Sequence, residues 1–116
     1  MKHRIHISLL LLVLSWTSPG RAELFVSDSN NNNQVFRYHE TSGAFMDVFV
    51  PNTNGLLSLP HGLAFGPDGN LYVASADNDT VLRYNGTNGA FLDIFVNASA
   101  GLDYPVRLIF RPDGWL

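Results

Sequence analysis

The order of apolar and polar positions is written twice along this chain. Residues 24–50 read LFVSDSNNNNQVFRYHETSGAFMDVFV, and residues 71–96 read LYVASADNDTVLRYNGTNGAFLDIFV. About half of the aligned positions are identical, with one residue of slack in the Asn-rich loop; the period of about 45–47 residues lies in the range of propeller and solenoid repeats. A second pair overlaps the first: LPHGLAFGPDGN at 59–70 returns as YPVRLIFRPDGW at 104–115. One such unit cannot bury its apolar faces alone, so the repeat itself predicts stacking of neighbours.

Each unit predicts four short strands. In the more complete one these are 62–65 (GLAF), 71–75 (LYVAS), 81–84 (VLRY) and 90–96 (AFLDIFV). The tetrad Gly66-Pro67-Asp68-Gly69 separates the first two, with proline set for a turn and glycine free to take positive φ. A polar loop at 76–80 and the run Asn85-Gly86-Thr87-Asn88-Gly89 separate the rest. Short strands about ten residues apart, divided by Gly, Pro and Asn, predict an all-β fold. LFV, LYVA and AFLDIFV are apolar on both faces, which predicts strands covered on both sides, as in four-stranded antiparallel sheets stacked face to face as propeller blades. The first strand sets small residues (Gly62, Ala64) opposite large ones (Leu63, Phe65), as an innermost strand near a crowded axis requires. Asp47 and Asp93 share one slot in the fourth strand, where a charge suits an outer edge. Arg37 and Arg83 share another, each followed by tyrosine (Tyr38, Tyr84). They are read as scaffold groups that bond loop carbonyls or pair with Asp47 and Asp93.

Counting strands divides the chain into a partial blade at 23–58, a full blade at 59–99 and the start of a third at 100–116, with 106–110 as its first strand. Ahead of them, residues 1–22 have the order of a secretory signal: Lys2 and Arg4, an apolar run ISLLLLVLSW, then small residues up to Ala22. That run is too short for a bilayer span, which needs about twenty residues. The expected location is therefore secreted or periplasmic, with no membrane span once the signal is removed.

Beyond residue 22 the chain carries four arginines, no lysine and ten carboxylates. It lacks the basic stripe that phosphate backbones require, which excludes nucleic acid as the expected partner. There is no cysteine, so stability rests on packing, on metal ions or on further chain rather than on disulfides.

The run HGLAFGPDGNLYVASADNDTVLRYNGTNGAFLDIFV resembles the NHL-type repeat of six-bladed β-propellers. It is also similar to the superfamily of the senescence marker protein/gluconolactonase enzymes and the streptogramin lyases. The resemblance covers nearly all of the chain after the signal, and it implies an incomplete ring of blades. It does not select an activity, because members include hydrolases, lyases and binding scaffolds. The lactonases hold a divalent cation with Glu, Asn and Asp from separate blades; no Glu follows Glu40 here. The lyases use a His and a Glu near the channel mouth, with Mg²⁺. By that resemblance His61, just before an innermost strand, is the catalytic candidate, although its match in the next repeat is Val106. Arg107, which stands where the preceding repeat has Gly62, is the ligand-binding candidate, for an anion in the channel. Each has an ordinary alternative as a loop or edge residue reaching solvent.

No metal site is expected within this chain: Asp77-Asn78-Asp79 and Asp28 with Asn30 to Asn33 are oxygen-rich, but their spacing departs from calcium-loop patterns. A divalent cation belongs to the complete ring. The expected function is a binding or interaction scaffold; the alternative is part of a metal-dependent lyase or lactonase with its catalytic residues mostly elsewhere. The apolar end faces must be met either by the missing blades of a longer chain, this sequence being a fragment, or by self-association of three copies head to tail.

Overall fold

The computed structural model describes residues 23–112. The signal segment at 1–22 and the end at 113–116 lie outside the described residues. Seven strands follow in order: β1 Glu23–Asp28, β2 Gln34–His39, β3 Phe45–Val50, β4 Pro60–Phe65, β5 Leu71–Ser75, β6 Thr80–Tyr84 and β7 Phe91–Val96. They form two antiparallel meanders, β1-β2-β3 and β4-β5-β6-β7, and neither closes into a barrel. The fold is all-β, a three-stranded and a four-stranded blade-like sheet packed face to face through one core.

The repeat in sequence is a repeat in register. Tyr38 pairs with Leu24 on one side and Phe45 on the other, as Tyr84 pairs with Leu71 and Phe91. Phe25, Arg37 and Asp47 line up across one face, as do Tyr72, Arg83 and Asp93. Even the irregularities repeat: β2–β3 shifts register between Val35 and Phe36 and between Arg37 and Tyr38, and β6–β7 shifts between Val81 and Leu82 and between Arg83 and Tyr84.

The core lies between the sheets. Phe25, Val35, Phe49 and Val50 of the first sheet meet Leu71, Val73, Leu82 and Tyr84 of the second, and Leu57 of the connecting segment closes one side. Phe25, partly buried, packs against this core, its ring edge-to-face with Phe49 at 4.9 Å and with Phe65 at 5.0 Å. Ser27 Oγ and Ser29 Oγ then tie β1 and its loop to β4, donating to the His61 and Pro60 carbonyls at 2.7 and 2.6 Å.

Both faces of β5 are buried, as its sequence predicts, but β1 and β7 are not covered on both sides. The difference follows from position, because the same residue type is covered only where it has a neighbouring sheet. Leu71 is 0% exposed and its repeat twin Leu24 is 51%; Val73 is 0% and its twin Val26 is 40%. On the opposite side Phe49 is 4% exposed and its twin Phe95 is 50%.

The strand expected at 106–110 is not formed. Residues 102–112 run beside β4 without pairing in a ladder, held there by the Gly62 N–H donating to the Val106 carbonyl at 2.9 Å. A Cβ on Gly62 would lie 2.8 Å from the Arg107 Cα, so only glycine admits this approach. The loop expected at 76–80 is in part a 3₁₀ turn, Ala76–Asn78, and β6 begins at Thr80.

Candidate functional site

The polar residues that the repeat preserves are joined to one another. Arg37 grips Asp47 with two bonds, Nε at 3.0 Å and Nη2 at 2.6 Å. Arg83 grips Asp93 with the same pair of distances. Each guanidinium also stacks on an aromatic ring of its own sheet: Arg37 on Phe49 at 5.1 Å, Arg83 on Phe95 at 5.0 Å. A second acid completes each cluster, Glu23 at 3.5 Å from Arg37 and Asp68 at 3.3 Å from Arg83. A bidentate fork over a ring fixes the rotamers of an inner and an edge strand together. The side chains are partly exposed, so the net worth of each ion pair is small; its contribution is geometric. Of the two roles weighed for these arginines, the pairing with Asp47 and Asp93 is the one formed.

Asp68 is held below the usual carboxylate range, first by the Asn70 backbone N–H, with the Tyr72 hydroxyl, the Asn70 amide and Arg83 adding to it against desolvation. Stabilisation from this cluster is therefore present above the ordinary carboxylate pKa and is lost as pH falls through the lowered one. Tyr84 behaves oppositely. Burial in the core pushes its phenol above its ordinary value. Its contribution is full below about pH 10 and declines as pH rises through the raised pKa. Chemical denaturation between pH 8 and 11.5 is expected to show a falling alkaline limb, and Tyr84→Phe is expected to flatten it.

The oxygen-rich loops serve the junction between units. Asn33 (φ 53°) and Asp79 (φ 58°) both adopt the left-handed conformation, as do Leu59 and Tyr104, each at φ 53°. The Asn33 Oδ1 accepts the Leu59 N–H at 2.9 Å, and the Asp79 Oδ1 accepts the Tyr104 N–H at 2.8 Å. These are the same bond one repeat apart. A left-handed non-glycine residue costs about 1–2 kcal/mol, and the bond offsets that cost where the chain enters the next unit. Asp77 and Asn78 are likewise engaged, with the Ser58 hydroxyl and the Leu56 carbonyl. Glycine at position 33 keeps the left-handed backbone while removing the acceptor. Asn33→Gly is expected to cost about 1 kcal/mol in urea denaturation, and Asp79→Gly less, because its bond is exposed.

His61 lies in β4, partly exposed. Its ring is tilted against Tyr104 at a centroid distance of 5.8 Å. Arg107 is exposed and forms no ion pair among the described residues. The structure brings no carboxylate to His61 within hydrogen-bonding distance among the described residues. Nor do the described residues contain a group of three or more His, Asp or Glu able to hold a metal ion. A hollow of about 340 Å³ lies between Phe65, Gly66 and Pro67 on one side and Phe110, Arg111 and Pro112 on the other. It gathers apolar walls and a single cation rather than convergent acid–base groups. No described helix is long and apolar enough to cross a membrane.

Comparison with protein-family models, with curated proteins and with solved structures finds no match to this chain. The geometry is left to define a class: stacked blade-like sheets with internally braced polar residues and open apolar faces.

Proposed function

We propose that this chain is an exported set of NHL-like β-propeller blades that acts as an interaction scaffold. One observation carries the reading. Polar side chains that recur between repeats are spent on bracing, while large apolar groups stand exposed on the outer sides of the sheets: Leu24, Val26, Phe45 and Val48 share one face of the first sheet, and Phe95 lies beside Tyr72 on the second. Contiguous apolar patches of this kind mark interaction surfaces rather than catalytic centres. The two repeat-matched arginine clusters tie neighbouring strands of each sheet together.

The test is native mass in the exported fraction of producing cells. The full chain is expected to migrate in a complex, and Val26→Asp or Phe95→Asp is expected to release it while far-ultraviolet circular dichroism stays unchanged. Migration as a free chain, unaffected by either substitution, contradicts the scaffold reading. The enzymatic alternative rests on His61, beside Tyr104 at the start of β4, with partners from other blades. Mg²⁺-dependent lactone opening or elimination that is lost in His61→Ala would establish it instead.

A further inference from the structure

Asn-Gly occurs three times in this chain, at 54–55, 85–86 and 88–89. Each asparagine sits in the same local turn. Its Oδ1 accepts the N–H two residues on, that of Leu56 at 3.0 Å, Thr87 at 2.8 Å and Ala90 at 2.9 Å. The asparagine side chains are therefore matched, and the glycines are not.

The Gly86 N–H donates to the Asn70 Oδ1 at 3.1 Å, and the Gly89 N–H donates to the Asn85 carbonyl at 2.8 Å. Both glycines are buried. A Cβ on either would overlap a backbone carbonyl, that of Gly69 or of Phe49, so neither turn has room to move. Gly55 is exposed, and a Cβ there would meet nothing within 4 Å. Its N–H forms no hydrogen bond among the described residues.

From this contrast we infer that Asn54-Gly55 is the site at which the folded chain modifies itself, by deamidation through a cyclic imide. The Gly55 nitrogen gives its proton to hydroxide and attacks the Asn54 Cγ. The new C–N bond closes a five-membered ring. The Cγ–Nδ2 bond breaks, and the leaving nitrogen takes a proton from water and departs as ammonia. Water then opens the ring at either carbonyl. One opening gives aspartate; the other gives isoaspartate, with the main chain rerouted through the side-chain carbon. The balance is one water consumed and one ammonia released. Whatever the scaffold binds, this chemistry needs only the chain and water.

The position gives the product a consequence. Residues 51–59 join the two sheets and carry Leu57, fully buried, into the core. The Asn52 Oδ1 accepts the Leu57 N–H at 3.2 Å. Isoaspartate lengthens the main chain by one methylene inside that bonded loop and draws Leu57 away from its acceptor. Aspartate adds only a charge on an exposed bend.

The test is peptide mass mapping of the purified full chain held at mildly alkaline pH, with and without urea. In the folded protein the Asn54 peptide is expected to gain about 1 Da. It should do so at least about tenfold faster than the peptide holding Asn85 and Asn88, because those glycine nitrogens must first lose their acceptors. In urea the difference is expected to vanish, since local sequence then sets all three rates. Asn54→Gln is expected to abolish the early product. Equal rates in the folded protein, earlier modification at 85 or 88, or no change at Asn54 while the urea-treated chain is converted each overturn the inference. So does a preference for Asn54 that persists in urea, which would place its cause in the sequence rather than the fold. The aged protein is expected to unfold at lower urea concentration than Asn54→Asp, because only the former contains isoaspartate. Coincident transitions overturn the coupling to Leu57.

Discussion

Leu71→Ala is expected to cost about 3 kcal/mol, and Leu24→Ala less than about 1 kcal/mol, in urea denaturation of the dilute single chain. The two leucines open the same strand of the same repeat and pair with the same residue types, Tyr84 and Tyr38. Propensity, register and sequence neighbours are therefore matched, and only the covering sheet differs. Leu71 is fully buried in the core beside Val73, Leu82 and Phe49, while Leu24 is half exposed. Truncating the first leaves a cavity lined by groups that the bracing prevents from collapsing; truncating the second removes surface that water already touches. Equal costs for the two would mean that the sheets do not share a core.

Gly89→Ala is expected to destabilise by on the order of 3 kcal/mol or more, against about 1 kcal/mol for Gly43→Ala. Both glycines close the same turn with nearly the same backbone, φ 75° and 74°. In each turn the glycine N–H donates to the carbonyl four residues back, Asn85 or His39. A methyl group at position 43 meets nothing within 4 Å, whereas at position 89 it would overlap the Phe49 carbonyl oxygen. Gly43→Ala therefore measures the left-handed penalty alone, and the difference between the variants measures how closely the second turn is pressed onto β3. If the two costs agree within a few tenths of a kcal/mol, the sheets stand further apart than described.

Much of this architecture is legible in the residues. β5 and β6 fall where LYVAS and VLRY place them, because continuous apolar runs bounded by Pro-Asp-Gly and Asn-Gly turns leave little choice of period. The pairing of Arg37 with Asp47, and of Arg83 with Asp93, is one of two alternatives that the repeat poses.

What the sequence does not reveal is which apolar face has a neighbour. Leu24 and Leu71 carry the same local signal, and only the order of sheets in space separates them. For the same reason residues 106–110 look like a strand but form none among the described residues: a strand needs an edge to pair with, and that requirement is not local. The bonds from Asn33 to Leu59 and from Asp79 to Tyr104 are also hidden behind ordinary turn chemistry. The signal that could have found them is the co-occurrence of a short oxygen-bearing side chain at 33 and 79 with an apolar residue before proline at 59 and 104. His61 and Arg107 were singled out on a different basis, a resemblance and a break in the repeat, and the structure joins neither to a reacting group.

The placement of the core has a thermodynamic consequence. Each unit contributes one wall, Phe49 from the first sheet and Leu71 from the second, with Leu57 of the connecting segment in the same cluster. Two copies of a motif in sequence thus amount to a single cooperative element in folding. Opening the first sheet strips water-excluding cover from the second, so amide protons on β5 should exchange only when β2 is also released. The smallest stable module of this architecture is an interface between repeats, and the repeat itself is half of one.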